Sequence, residues 1–547
     1  MNRNLILLLI TLYSLNSCNS PKMKVDLIVS NATVYTIDNS FSVAESFAVK
    51  DGRFVAVGSC KEIESKYTSD QVLDLKGKVI YPGFNDAHCH FYGYGMDLMQ
   101  YADLGGLSTT ESIYQKLQEK KVQLGEGWIL GRGWDQNLWP EKSFPDNKQL
   151  NELFPETPVY LVRIDGHAAW CNAKALKLAG IDAKTRVEGG DVLLKNGQPT
   201  GVLIDNAMQL VFNLIPTPTD ELKTKALLEA EKNCFSVGLT SVTDCGLPKK
   251  TILLIDTLQR KGDLQMQMNV MMDPSTENMD YFLKKGPYRT DRLQVRSIKL
   301  YADGALGSRG AYLLDDYSDQ PGTRGLLMNP ESYFDDICQK AYDAGFQVAV
   351  HCIGDGANRF ILNIYGKYLK DKNDRRWRIE HAQVVHPDDV ALFGKYSVVP
   401  SVQATHATSD MLWADERLGN ERIKTAYAYQ QLLAQNGWIP NGTDFPIEDI
   451  SPLKTFYASV CRKNLDGVPA DGFQMENALT REQALRSITI WAAKAGFEEN
   501  EKGSIEAGKL ADFVVIDIDL MKCLNSDILK AKVSETVLRG EVVFKAD

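Results

Sequence analysis

The chain has 547 residues, of which 44% are hydrophobic and 24% are charged, as in an ordinary soluble globular protein. Its formal net charge is −10 and it contains no basic block, so we expect no nucleic-acid partner. The length exceeds that of one small domain, although an α/β barrel can use roughly 250 residues or more as a single unit.

The first residues have the pattern of a targeting segment. Arg3 supplies a positive charge, and the apolar run at 5–12 is too short to span a bilayer as a stable anchor. The motif Leu-Asn-Ser-Cys18 resembles the lipobox of bacterial lipoproteins, in which the cysteine is lipidated. We therefore predict a lipoprotein signal peptide at 1–18 and a tether at 19–23, with an ordinary secretory signal as the alternative. The predicted location is the bacterial cell envelope, facing the periplasm, and the lipid at Cys18 is the only membrane contact expected.

Both ends of the remaining chain have the alternating patterns and turn signals of short strands. The strand-like runs lie at 26–35, 46–57, 510–516 and 536–544. Because both termini are β, we predict one small β-sandwich domain built from both ends of the chain, residues 24–79 plus 503–547.

Between the two ends, short apolar strands alternate with helical patterns. The eight candidate strands lie at 79–90, 239–244, 265–272, 296–301, 346–351, 377–381, 398–402 and 438–444. This alternation predicts an α/β fold, a (β/α)8 TIM-like barrel at 80–502. It requires an insertion at about 95–215 after the first strand, whose inner layout the sequence leaves open. Thr480 and Gln483 have the spacing of a capping box that starts a late helix.

Residues that can bind metals follow several of these strands. In a strand, alternate side chains point the same way, so His88 and His90 form one half-site. Alone, an H-x-H pair is weak evidence, but matching groups recur at other strand ends: Lys299, His351, His381 and Asp444. Barrel active sites form where the carboxyl ends of the strands meet, so we expect these six groups on one rim.

Lys299 is the exception among them, because an ammonium group cannot bind a cation. Beside two metal ions a neutral amine can take up CO2 and become a carbamate, which is an anionic oxygen bridge. The alternative is an ordinary buried lysine paired with Asp303. We favour the carbamate.

The chain resembles the amidohydrolase superfamily. The matching residues are His88-Cys89-His90, Lys299, His351, Glu380-His381, Gly442-Thr443-Asp444 and the segment 503–512. Further motifs are similar to the amidohydrolase-3 branch, which includes N-substituted formamide deformylase-like metal-dependent hydrolases. These motifs are Gly131–Asp135, Arg163–Trp170, Lys299–Arg309 and His351–Asp355.

The resemblance implies a hydrolase with two divalent metal ions, most often Zn²⁺. It also implies which residues bind them: His88, His90 and Asp444 for one ion, His351 and His381 for the other, and carboxylated Lys299 as the bridge.

The catalytic residues that the resemblance implies are Asp444, His381 and His167. A metal-activated water is the expected nucleophile, and Asp444 would take its proton and pass it to the departing amine. His167, in the insertion, would lie over the metals and contact the substrate carbonyl, unless it is a loop or core histidine satisfied by the backbone.

Three further residues are predicted to contact substrate. Asp303 and Arg309 lie just beyond the fourth strand and would shape the pocket, with a salt bridge that holds the loop as the alternative. Trp134 would wall an apolar pocket, although large aromatic residues are more often part of a core. His406 follows the seventh strand and either lines the rim or is a plain loop residue.

The function predicted from these observations is metal-dependent hydrolysis of a non-peptide C–N bond in a small-molecule amide, an N-acyl or N-formyl amide. Alternatives on the same fold are a mononuclear deaminase with unmodified Lys299 and a lactone or ester hydrolase. A non-catalytic envelope lipoprotein with a degenerate barrel is the remaining alternative, and the complete ligand set argues against it. The sequence leaves open whether the chain forms a homodimer.

Overall fold

The centre of the structure, a computed structural model that describes residues 21–124 and 127–546, is a barrel of parallel strands. Seven strands pair in chain order, each parallel to the next. They are β1 (Phe84–Cys89), β2 (Leu239–Leu247), β3 (Gln267–Met272), β4 (Leu293–Tyr301), β5 (Gln347–Cys352), β6 (Arg378–His381) and β7 (Val399–Ser401). Nearly all of their residues are buried, because the strands have barrel interior on one face and helices on the other.

The predicted eighth strand is an irregular segment that closes the barrel. Gly442 N donates to Val402 O at 2.9 Å on one side, and Asp444 N donates to His88 O at 2.8 Å on the other. Pro440 lacks a backbone donor and Asp444 has φ 61°, so the segment cannot form a regular ladder. It still joins the last strand to β1.

Helices cover the outside of the barrel. The main ones are Asp220–Ser236, Lys249–Lys261, Glu331–Ala344, Asp355–Leu369, Pro387–Tyr396, Tyr429–Asn436, Pro452–Cys461, Arg481–Ser487 and Ile490–Ala495. Further helices near the rim span Phe91–Gln100, Ala404–Asp410 and Ala414–Arg422. Thr480 and Gln483 form the predicted capping box at the start of Arg481–Ser487. In the described part of the chain, every helix is too short or too polar to cross a lipid bilayer.

Two sheets built from both ends of the chain pack beside the barrel. The four-stranded sheet contains Arg53–Gly58, Ser46–Lys50, Leu27–Ser30 and Val72–Asp74. The six-stranded sheet contains Glu541–Lys545, Val533–Leu538, Phe513–Ile516, Val79–Pro82, Thr33–Tyr35 and Val43–Ala44. The rings of Phe47, Phe54 and Phe513 meet between the sheets, with Phe47 5.1 Å from each of the other two. The predicted fold class, a TIM-like barrel with a sheet domain, is confirmed.

The sheet domain extends slightly further along the chain than its predicted limit. Residues 80–82, which we assigned to the barrel, pair with residues 513–515 in the six-stranded sheet. The chain changes sheets at Gly83, where a Cβ would collide with the side chain of Thr240. The predicted signal peptide and Cys18 lie outside the described residues.

The insertion forms its own mixed sheet beside the barrel rim. Its strands are, in sheet order, Ala102–Asp103, Ile129–Trp134, Val159–Arg163, Ala168–Cys171, Gln198–Asp205 and Gly190–Lys195. The first three are parallel and the rest antiparallel. Its helices span Thr110–Leu124, Lys148–Leu153, Ala173–Leu178 and Gln209–Phe212. This layout places the loop between Arg163 and Ala168 over the carboxyl ends of the barrel strands.

Candidate metal centre and cavity

Three buried side chains from distant parts of the chain converge at the rim of the barrel. One ligand atom each of His88, His381 and Asp444 lies within 4.8 Å of the other two. His90 joins them, with Nε2 3.3 Å from Asp444 Oδ1, while His88 Nε2 is 3.4 Å from the same oxygen. Asp444 Oδ1 is buried and accepts no hydrogen bond from the described residues.

This oxygen provides a test of whether the residues fit a metal ion. A buried carboxylate oxygen without a partner costs free energy, and a cation coordinated by it and the neighbouring imidazoles removes that cost. Imidazole nitrogens and one carboxylate oxygen are also the donor set that zinc and similar metals bind. The residues present therefore fit a metal ion.

The two central histidines are oriented by side chains behind them. His88 Nδ1 lies 2.5 Å from Glu380 Oε2, and His381 Nδ1 lies 2.6 Å from Gln403 Oε1. Arg378 in turn pairs with Glu380. Because each Nδ1 is held in this way, each ring presents Nε2 to the centre, which is the usual arrangement for histidines that bind metals.

His351 and Lys299 complete the predicted set. The rings of His351 and His381 have centroids 4.5 Å apart, and Lys299 Nζ lies 3.4 Å from His88 Nε2. Burial lowers the pKa of His351 and His381 well below the usual value for imidazole, so both rings are neutral. Neutral imidazole is the form that binds a metal.

Asp303 does not pair with Lys299. Its carboxylate accepts backbone hydrogen bonds from Tyr312, Ile353 and Gly354, which ties together the loops after β4 and β5. The structure therefore gives no support to the ion pair that was the alternative to the carbamate.

Two residues of the centre have backbone conformations that are rare outside glycine. His381 has φ 71° and Asp444 has φ 61°. Such strain persists only where the surroundings enforce it, and it is concentrated at functional sites. The positive φ of His381 also ends the regular alternation of side chains along β6. As a result, the consecutive residues Glu380 and His381 both contribute to the centre, Glu380 through its contact with His88.

A cavity of about 470 Å³ opens from the metal centre toward the insertion. His90, Lys299, His351, His381 and Asp444 line its inner end. Its walls include His167, Arg163, Tyr301, Leu306, Asp410, Trp413 and Glu448. Such a concave site, mostly apolar with a few polar groups, is typical of a small-molecule pocket.

Of the predicted substrate residues, only His167 reaches this cavity. Its ring lies 4.8 Å from that of His351, centroid to centroid. Arg309 instead pairs with Asp319 at 2.7 Å, which is the alternative that the sequence left open. Asp303 lies behind His351 and holds the loop.

Trp134 is a correction to the sequence prediction. Its side chain is fully buried in the core of the insertion, its Nε1 donates to Leu161 O at 2.8 Å, and it stacks on Trp139. The tryptophan that does line the cavity, among the described residues, is Trp413. A tryptophan in a sheet strand of an uncertain insertion could not be assigned to core or pocket from the sequence.

His406 contributes to the site, a role that the sequence left undecided. Its Nε2 lies 3.1 Å from Asp444 Oδ2 and its Nδ1 lies 3.2 Å from Glu448 Oε1. Burial would lower the pKa of His406, but these two carboxylates outweigh it and raise the pKa to about 10. His406 thus holds the second oxygen of Asp444 and leaves the first to the centre.

A β/α barrel with a buried histidine and aspartate cluster at the carboxyl ends of its strands, open to a cavity, defines a metal-dependent hydrolase of the TIM-barrel class. The model of the amidohydrolase family matches residues 71–544, and the chain belongs to this family. The resemblance seen in the motifs is confirmed.

Individual relatives match nearly the whole chain. Amidohydrolase YtcJ of Bacillus subtilis is 31% identical over 94% of this chain and 98% of its own. N-substituted formamide deformylase of Arthrobacter pascens is 26% identical over 95% of this chain and 98% of its own. A metal-dependent hydrolase of Pyrococcus horikoshii of known structure is 28% identical, with a TM-score of 0.74 over 91% of this chain and 99% of its own.

Proposed function

We propose that this protein hydrolyses a non-peptide C–N bond in a small-molecule amide, an N-acyl or N-formyl amide. The observation that carries the proposal is the buried Oδ1 of Asp444, which accepts no hydrogen bond from the described residues and lies at the inner end of a cavity lined by histidines. A carboxylate so placed can both bind a cation and accept a proton. The similarity to N-substituted formamide deformylase supports an amide as substrate.

The metal ions that we propose are two Zn²⁺. His88, His90 and Asp444 would hold one ion, His351 and His381 the other, and a carbamate formed on Lys299 from CO2 would join them. When bound, such ions lower the pKa of a water molecule and polarise a carbonyl group. The contacts that orient His88 and His381 would preserve this ligand set.

The remaining chemistry belongs to Asp444 and His167. In amide hydrolysis, water adds to the carbonyl carbon, the C–N bond breaks, and the nitrogen leaves with one additional proton. Asp444 would accept that proton from the attacking water and deliver it to the nitrogen. His167, whose ring lies beside that of His351 in the cavity, would contact the carbonyl oxygen of the substrate.

Turnover on a panel of simple N-acyl and N-formyl amines tests the function. We expect release of amine that stops on chelation and returns with added zinc, with two metals per chain and a requirement for bicarbonate during reconstitution. Deamination of a ring by a protein with one metal per chain would instead support the mononuclear alternative. No metal-dependent hydrolysis of any amide would overturn the proposal.

We also propose that the mature protein is attached to the cell envelope through a lipid on Cys18. The proposal comes from the lipobox-like motif alone, since these residues lie outside the described part of the chain. Cys18→Ser should move the protein from the membrane fraction to the soluble fraction, with turnover per chain unchanged. Wild-type protein found free in a periplasmic extract would contradict it.

A further inference from the structure

His167 is held by a partner that the sequence did not single out. His167 Nδ1 lies 2.6 Å from Asp205 Oδ1, and the backbone N of Asp205 also donates to His167 O at 3.0 Å. The Asp205 side chain is fully buried, whereas that of His167 is 13% exposed, toward the cavity. Because Asp205 occupies Nδ1, the ring nitrogen left for the cavity is Nε2.

Asp205 is kept in place at a structural cost. Its backbone has φ 47° and ψ −121°, a conformation that residues other than glycine rarely adopt. Gly304 and Gly310, in the loop after β4, pack directly on its carboxylate, and a Cβ at either position would collide with Oδ2. The loop therefore closes over the pair only because both positions are glycine.

The hydrogen bonding of Asp205 differs from that of a carboxylate that holds a loop. Both carboxylate oxygens of Asp303, in the same loop, accept hydrogen bonds from backbone N–H groups. Asp205 directs one oxygen at His167, and its other oxygen is buried without a hydrogen-bond partner among the described residues. Within the described part of the chain, its one side-chain hydrogen bond is to a histidine that lines the cavity.

We propose that Asp205 is the positioning residue for His167: it accepts the Nδ1–H of the ring and so fixes the orientation and tautomer with which Nε2 meets the substrate. The consequence for turnover rests on the proposed amide hydrolysis, whereas the positioning itself does not. Histidines in other sites are oriented by carboxylates in the same way, and loss of such a partner typically costs about 10–100-fold in activity.

A double-mutant cycle tests the effect on turnover. We expect Asp205→Asn to lower kcat about 10–100-fold in the zinc-loaded full chain, with metal content unchanged. In a His167→Ala background the same change should have no further effect, because the ring through which it acts is gone. Asp512→Asn is the matched control, since Asp512 is also buried and hydrogen-bonded but lies in the sheet domain. An equal loss in both backgrounds would mean a purely structural role and would overturn the proposal.

Nitrogen-15 NMR of histidine-labelled protein tests the positioning without any turnover. The chain has seven histidines, so the His167 signals can be assigned by their loss in His167→Ala. We expect a protonated Nδ1 in the wild type and in Asp512→Asn, and a shift toward the Nε2–H tautomer in Asp205→Asn. If the wild type hydrolyses no amide, the proposed function fails and this measurement alone decides the positioning. An unchanged His167 tautomer in Asp205→Asn would overturn it.

Discussion

The barrel and the insertion each supply histidines to one cavity, but they hold them differently. His88 is fixed by Glu380 on β6, and His381 is fixed by Gln403 in the segment after β7. His167 is fixed by Asp205 from the insertion's own sheet. The metal end of the cavity is therefore built by the barrel, and the wall at His167 is built by a loop of the insertion.

His167 also differs in its electrostatic environment from His351 and His381. Burial keeps the pKa of His351 and His381 well below the usual value, which suits metal ligands. Burial would do the same to His167, but its hydrogen bond to Asp205 and the negative charge of that residue raise its pKa instead. Histidines whose environments move their pKa values apart are suited to separate roles in one reaction.

The largest effect should come from the barrel side, at Lys299. We predict that Lys299→Ala removes one or both metals and nearly all activity, because the bridge between the ions is lost. Short carboxylic acids should restore part of the activity by supplying the missing oxygen bridge. Metal content and turnover, with and without added acetate, check this. Lys223→Ala, at a buried lysine on an outer helix, is the control. Two metals and full turnover in Lys299→Ala would contradict the carbamate.

Asp444→Asn should have the next largest effect. Asparagine keeps the size and one coordinating oxygen but cannot accept a proton. We predict that metal content falls little while kcat drops by about 10²–10⁴-fold, the usual contribution of a positioned acid–base group. Measuring metal content and kcat on one preparation separates the two roles of Asp444. Complete loss of metal would make Asp444 mainly a ligand, and near-normal turnover would contradict the mechanism.

Glu380→Gln tests the orientation of a barrel histidine with a smaller expected effect. The change weakens the hydrogen bond to His88 and removes a buried negative charge beside Arg378. We predict metal affinity about 10–100-fold weaker, with turnover recovered at excess zinc. Glu231→Gln is the control, because Glu231 is also buried but accepts hydrogen bonds from backbone N–H groups just before β3. Activity measured along a zinc titration checks this prediction. A loss of turnover that excess zinc does not restore would contradict it.

The contrast between barrel and insertion also explains what could be predicted from the sequence. Parallel strands place their carboxyl ends on one rim, so His88, His351, His381 and Asp444 could be brought together from strand positions alone. Their roles as ligands stay a prediction. The sequence predicts the closing segment as a regular strand. Its irregularity could not be predicted, because the φ of Asp444 is known only once the barrel is closed.

Residues that act from the insertion or from behind the ligands could not be found in this way. Asp205 and Gln403 have no distinguishing spacing, and their partners are 38 and 22 residues away in the chain. The sheet of the insertion mixes parallel and antiparallel strands, so no simple topology says which side chains face the barrel. For this reason the sequence places Trp134 wrongly, and no motif marks Glu448 as part of the site.

The smallest expected effect on turnover separates the two tryptophans. Trp134→Phe removes a hydrogen bond to Leu161 O within the insertion core, and the Trp134 side chain does not line the cavity. We predict a loss of about 1–3 kcal/mol in the free energy of unfolding, from the unpaired carbonyl and the lost volume, with KM nearly unchanged. Trp413→Phe should raise KM and leave the free energy of unfolding nearly unchanged, since Trp413 lines the cavity and is only partly buried.

Denaturant unfolding and KM on the same substrate, measured for both variants, decide between core and pocket. A raised KM in Trp134→Phe at unchanged stability would return Trp134 to the substrate wall. It would also mean that the insertion moves far enough on binding to expose a residue that is fully buried here. The opposite outcome, a stability loss without a KM change, would leave substrate contact on that side to the surface that His167 and Trp413 line, and would make the core of the insertion a support for Asp205 rather than a part of the pocket.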